Sequence, residues 1–176
     1  MQKDTKVLHG TWLLIGIIVG FAVVLVGGVF LLTKGVRQDE QIPYQDVLGV
    51  ETTPSNYDLG NVPINGGIVT KEYEIKNNTD KTIKIKKIAT SCMCTTASVV
   101  IADRKTSFFG MEMQGDKNAP VNLEMAPGET GKTIVNFDPA AHGPQGVGPF
   151  DRIVWITFSD PGGIKELKFN GIVVNE

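Results

Sequence analysis

From Gly10 to Thr33 the chain carries no charged side chain, and Trp12–Leu32 within it is an unbroken run of 21 apolar residues and glycines. As a helix rising 1.5 Å per residue, such a run spans roughly 30 Å, the thickness of a bilayer core. A cleaved signal peptide is the rival reading. Its apolar region holds about 7–15 residues and ends at a small-residue site. This run is longer, and Leu31-Leu32-Thr33-Lys34 offers no such site. The expectation is a short tail over residues 1–10, one transmembrane helix over 11–33 and a polar tether over 34–50, with the lipid bilayer as the first partner. Lys3 and Lys6 flank one end and Lys34 and Arg37 the other, so the positive-inside rule does not orient the helix. Gly16, Gly20 and Gly27 fall on one helical face as a GxxxG and its continuation. Small residues there would permit close helix approach and a homodimer, although glycine is also common in membrane helices.

About 125 residues remain beyond the tether, the usual size of one domain. The net charge of −2 shows no nucleic-acid footprint. The patterning is that of strands. Val69, Lys71, Tyr73 and Ile75 alternate with Thr70, Glu72, Glu74 and Lys76, and Asn77-Asn78-Thr79-Asp80 follows as a turn. Ile83 and Ile85 alternate with Lys84 and Lys86 until Ile88 breaks the phase, which predicts a bulge or a strand end. Thr95–Ile101 is β-branched and reads as buried. Thr133, Val135 and Phe137 follow a Pro127-Gly128 turn, and Gly128 is expected at positive φ. Phe150, Arg152, Val154, Ile156 and Phe158 form a further alternation. Asp160-Pro161-Gly162-Gly163 is a turn before a last strand with Leu167, Phe169 and Val173. Short strands with frequent turns predict an all-β fold over 51–176, an antiparallel sandwich behind the membrane helix.

The only cysteines are Cys92 and Cys94, in Ser91-Cys92-Met93-Cys94-Thr95-Thr96. Residues i and i+2 of a strand stand about 6.6 Å apart on one face. That is the outer limit of disulfide geometry, so a Cys92–Cys94 bond needs a local turn. Three readings stand, in this order: two small buried apolar side chains, a disulfide, and soft-metal ligation. Met111, Met113 and His142 are the further candidates for copper, and Met125 is a weaker one. Because only Cys92 and Cys94 are held close by sequence, tight metal binding is not expected, and no cofactor is assigned. With His142 the sole histidine of the domain, no Ser-His-Asp set exists, and a Cys–His pair requires proximity that the sequence does not show. The chain is therefore read as a non-enzyme with no catalytic residues.

Other motifs are weaker. Asn77-Asn78-Thr79 matches a glycosylation acceptor but equally makes a turn. Lys81, Lys84, Lys86 and Lys87 read as a solvated strand face rather than a lipid-binding patch.

Together the motifs resemble domain-of-unknown-function family 1573. The resemblance covers about Thr52 to Val174. It rests on Tyr57-Asp58-Leu59-Gly60, Ile75-Lys76-Asn77-Asn78, Ser91–Thr95, Pro127-Gly128-Glu129 and Val135-Asn136-Phe137-Asp138. It implies an immunoglobulin-like sandwich outside the cytoplasm, similar to domains of sperm-protein and ciliary scaffolds. Such domains bind proteins and are not known as catalysts. The orientation and a protein partner thus come from the resemblance, with Phe108–Asn122 and Pro139–Pro149 as the candidate binding loops. Two departures bear on the thiol site: Met93 stands where the family usually has glycine, and Phe108–Asn122 is an insertion. The first expectation is a tethered protein-binding module; copper handling or thiol redox chemistry at Cys92 and Cys94 is the alternative.

Overall fold

The computed structural model describes residues 17, 19–21 and 45–175. The chain separates into two units, residues 1–41 and 42–176. In the first unit the described residues Ile17, Val19, Gly20 and Phe21 are helical and exposed. The rest of the expected membrane segment, including Gly16 and Gly27, lies outside the described residues. Among those described, no helix is long and apolar enough to cross a membrane.

The second unit is a two-sheet sandwich. Its strands are β1 (Val50–Thr53), β2 (Asn56–Pro63), β3 (Val69–Asn77), β4 (Ile83–Thr90), β5 (Thr95–Ile101), β6 (Arg104–Lys105), β7 (Leu123–Met125), β8 (Thr130–Phe137), β9 (Gly148–Ser159) and β10 (Gly162–Val174). One sheet runs β1-β3-β8-β5-β6 and the other β2-β10-β9-β4-β7. All pairs are antiparallel except β2 with β10, which is parallel. A period of two specifies which face a strand buries, not the direction of its neighbour, so this pairing escaped the antiparallel expectation.

The alternation decides what is buried. Tyr73, Ile75, Ile83, Ile85, Ile88, Val154, Ile156 and Phe158 are all fully buried between the sheets. The phase break before Ile88 is a register shift between Ile85 and Lys87 against β9. The Lys86 carbonyl beside it accepts from Val121 N–H at 2.8 Å. Phe137, Phe150 and Phe169 pack as a trio, with centroids 4.5, 5.5 and 6.1 Å apart, and each ring's burial contributes about 1.5–3 kcal/mol. Tyr73 on β3 reaches across the sandwich and donates to the Lys168 carbonyl on β10 at 2.7 Å. Burial, with Tyr57 as the smaller cause, pushes the Tyr73 phenol upward, so it stays a donor.

Packing begins earlier than the expected boundary at residue 51. Val47 and Val50, in the stretch read as tether, belong to the core, and Asp46 bridges to Ile164. A Cβ on Gly163 would lie 2.8 Å from Val47 Cα, so only glycine admits this segment. Phe108–Asn122 is held to the sandwich as well. Phe109 bridges to Ala97, and Asn118 Nδ2 donates to the Ile88 and Gly110 carbonyls at 3.0 and 2.8 Å. Lys87, one of the lysines read as solvated, pairs with Glu112 of this segment at 2.6 Å.

Asn77 ends β3 with no exposed surface. Its Nδ2 donates to the carbonyls of Lys81, Met125 and Ala126, and its Oδ1 accepts from Thr79 N–H and Oγ1–H. The acceptor motif is thus spent on a turn. The neighbouring Pro127-Gly128 turn closes with Glu129 N–H on the Ala126 carbonyl at 3.0 Å and Ala126 N–H on the Glu129 carboxylate at 2.7 Å. Gly128 sits at φ +74° with open space around an added Cβ.

Asn77→Ala leaves buried carbonyls without donors, and urea unfolding is expected to show a loss of about 2–3 kcal/mol at unchanged m-value. Gly128→Ala meets no clash, so its expected cost is the left-handed backbone alone, about 1–2 kcal/mol. An unaltered midpoint for either variant would contradict these roles.

Candidate functional site

The two cysteines lie where the chain crosses between sheets. Thr90 ends β4 in one sheet and Thr95 begins β5 in the other. The four residues between them turn, closed by Thr95 N–H on the Cys92 carbonyl at 3.1 Å. Thr90 Oγ1, itself buried, lies 3.0 Å from the carbonyls of both Cys92 and Thr95 and reinforces the turn. The turn brings the cysteine Cα atoms to 5.3 Å, and the sulfurs are bonded as a disulfide. Ala102 is the only described non-glycine residue at positive φ, so Met93 occupies the turn without the left-handed conformation that would demand glycine. Met93 stands 64% exposed at the tip, while Cys92 and Cys94 are 8% and 3% exposed.

A second crossing runs beside the first. The chain leaves β8 at Phe137 and reaches β9 at Gly148, passing through His142 and a 3₁₀ turn over Gly143–Gly146. Register places the two crossings together. Thr95 pairs with Phe137, so Asp138 N–H meets the Cys94 carbonyl at 2.9 Å. Asp138 then organises its own loop, its Oδ1 accepting from Ala140 N–H at 2.9 Å and its carbonyl from Ala141 N–H at 3.3 Å. His142 Nε2 arrives 3.0 Å from Cys92 Sγ across 50 residues of sequence. Cys92, Cys94 and His142 thereby form a group whose ligand atoms all lie within 4.8 Å of one another, the sulfurs buried and the imidazole exposed.

The fourth participant is Arg152 on β9. Ser91 fastens that strand to the thiol turn: its N–H donates to the Ile153 carbonyl, and its Oγ accepts from Ile153 N–H, both at 2.9 Å. Arg152 Nε donates to Cys94 Sγ at 3.2 Å. Burial, opposed by the Asp151 carboxylate, holds the guanidinium below its ordinary value, although such a group keeps its charge in proteins.

Four donors thus converge on two sulfurs. Cys92 Sγ accepts from His142 Nε2–H and from Cys94 N–H at 3.3 Å. Cys94 Sγ accepts from Arg152 and from the Thr95 hydroxyl at 3.6 Å. A disulfide sulfur has no proton to give, so in this state the imidazole carries its proton on Nε2. The same donors favour thiolates once the bond is opened. A cavity of about 390 Å³ adjoins the site, with Phe137, Asp138, Val147, Phe150, His142 and Arg152 on its wall.

Of the candidate residues, the structure brings Cys92, Cys94 and His142 together. Met111 and Met113 lie at the surface of the 108–122 segment, 42% and 62% exposed, and Met125 is wholly buried in the core. Arg152 is the participant that sequence reading missed. The signal was present, an arginine in the inward phase of the β9 alternation between Phe150 and Val154.

A protein of unknown function from Porphyromonas gingivalis W83 superposes with a TM-score of 0.51 at 18% identity, over 70% of this chain and 46% of that one. The chain therefore spans just under half the length of that protein, and the likeness is one of fold alone. The ASH / PapD-like domain of human CEP192 matches at 13% identity and a TM-score of 0.44, over 76% of this chain and 92% of that domain. The VesB protease of Vibrio cholerae matches at 12% identity and a TM-score of 0.46, over 71% of this chain and 32% of that one. No curated protein matches by sequence. Residues 50–110 match the model of the family described as Protein of unknown function (DUF1573), and that stretch includes the Ser91–Thr95 motif. Over residues 50–110, then, the family supported is DUF1573, the one its motifs resemble.

Proposed function

We propose that the chain is a membrane-tethered, extracytoplasmic immunoglobulin-like domain whose working centre is Cys92–Cys94, a disulfide that exchanges two electrons with the dithiol of a partner protein. The observation that carries this reading is the convergence of His142 and Arg152 on the two sulfurs. Two cysteines serving only as small apolar fillers would not require an imidazole and a guanidinium drawn from other elements. The proposal joins both earlier expectations, since the protein partner remains and the thiol pair becomes its point of contact.

A thiolate of the partner attacks Sγ of Cys92, the more exposed of the two residues, and the Cys92–Cys94 bond breaks as a mixed disulfide forms. The bond's electron pair leaves on Cys94 as a thiolate, which Arg152 Nε and the Thr95 hydroxyl are placed to receive. The partner's second thiolate attacks its own half of the mixed disulfide and releases Cys92. The partner ends as a disulfide, and this chain takes up two electrons and two protons. The cavity wall formed by His142 and Arg152 gives the partner a face from which to approach.

The tether rests on the Trp12–Leu32 run, and the outside location on what the motif resemblance implies. A compartment outside the cytoplasm also favours cysteine pairing.

In full-length protein, alkylation followed by mass measurement should modify both cysteines only after reduction, and oxidised glutathione should restore protection. Arg152→Gln is expected to slow reduction by dithiothreitol about tenfold or more, the worth of one charge-assisted hydrogen bond. Folded protein whose cysteines never become alkylatable would refute the redox reading. For the location, Ser55→Cys in a Cys92→Ala, Cys94→Ala background should react with a membrane-impermeant maleimide on intact cells. Labelling that requires lysis would place the domain inside.

A further inference from the structure

We infer that the reduced site binds one soft monovalent cation, Cu(I), through Cys92 Sγ, Cys94 Sγ and His142 Nε2. This rests on the redox reading, because ligation requires both thiols free. Sequence reading lacked a third convergent ligand, and the β8–β9 crossing supplies it in His142.

Three observations carry the assignment. The first is geometry. Three donors bound to one ion at about 2.0–2.3 Å in a plane lie about 3.5–4 Å from each other. The three ligand atoms already lie within 4.8 Å of one another, on two crossings bonded together through Asp138 and Cys94. Opening the disulfide and a small shift of the imidazole suffice.

The second is donor chemistry. Two thiolates are soft donors of the kind that select Cu(I), and an imidazole is a borderline donor that also suits copper. Zinc takes four ligands in closed sites, and among the described residues no fourth histidine, cysteine or carboxylate joins this group.

The third is charge. Two thiolates and one Cu(I) sum to −1, and the half-buried Arg152 beside Cys94 Sγ brings the site to zero. A divalent ion would leave it positive in a setting where both sulfurs are almost wholly buried.

Binding involves no electron transfer. The two thiols release two protons to solvent, and the imidazole moves its proton from Nε2 to Nδ1 so that Nε2 can donate its lone pair. Exposure of His142 gives the ion a path to the buried sulfurs. Met111 follows Gly110, whose carbonyl accepts from Thr90 N–H at 3.3 Å, so the exposed thioethers of Met111 and Met113 belong to a segment bonded to the foot of the thiol turn. They are not assigned as ligands.

The test uses the full-length chain in detergent, reduced without oxygen and titrated with Cu(I) against a Cu(I)-selective chelator. One equivalent is expected to resist the chelator, with an X-ray absorption spectrum of two sulfurs and one nitrogen. Cys92→Ser with Cys94→Ser should abolish retention. His142→Ala should weaken it at least about tenfold, since even outer-shell partners are worth that. Met111→Leu with Met113→Leu should leave it unchanged. If both thiols react with an alkylating reagent yet no Cu(I) is retained, this inference falls and the redox reading stands. If the folded chain cannot be reduced, both fall. Unchanged affinity in His142→Ala, loss on removing the methionines, or retention of Zn(II) in preference to Cu(I) would each overturn the ligand set or the ion.

Discussion

The hydrogen bond from Asp138 N–H to the Cys94 carbonyl is the tie on which the site depends. It continues the β5–β8 ladder one step past Thr95 and Phe137, at the point where both strands leave their sheet. It joins the thiol turn directly to the start of the His142 loop at one end of the sandwich. With it, the backbone that carries Cys94 and the backbone that leads to His142 share one register. A slip of one residue would turn each side chain to the opposite face, and the buried alternation on β5 and β8 forbids that slip. The core therefore sets the position of the site through its register.

The core also stiffens the ground beneath it. Phe137 is the last residue of β8 before the His142 loop, and Phe150 stands two residues before Arg152 on β9. Their stacked rings, with Phe169 against them, fix the strand ends from which both polar groups project. The Arg152 guanidinium lies 5.8 Å from the Phe150 ring centroid and also donates to the Asp151 carbonyl at 2.9 Å. Its side chain is thus held in one orientation before it meets the sulfur, which lowers the entropy cost of that contact.

A sandwich of two sheets suits such chemistry because its crossings bring remote stretches of chain together at the ends while the ladders hold them still. Here the four sulfur-facing groups come from Cys94 and Thr95 beside the thiol turn, from the β8–β9 loop and from β9 itself. The burial of the sulfurs and the exposure of His142 make the imidazole the group that faces solvent. The proposed redox exchange and the proposed soft-ion binding would use the same atoms in different states, so oxidation of the pair would expel an ion held by the reduced pair.

Much of the architecture was legible from residue order. The alternations over Val69–Ile75, Thr133–Phe137 and Phe150–Phe158, the broken phase at Ile88 and the Pro127-Gly128 turn each match what the strands and turns do. These are local signals, set by side-chain period and by the conformations that proline and glycine permit. Order along the chain could not show that β2 lies parallel to β10, that Val47 reaches the core, or that residues 108–122 close over the β4 bulge. Those depend on contacts between segments far apart. The site divides the same way. Sequence determined the close spacing of Cys92 and Cys94, the need for a turn between them and the shortage of histidine. Only tertiary structure decided that His142, 50 residues on, and Arg152, 58 residues on, meet those sulfurs, because cross-strand register sets that proximity and no spacing along the chain records it.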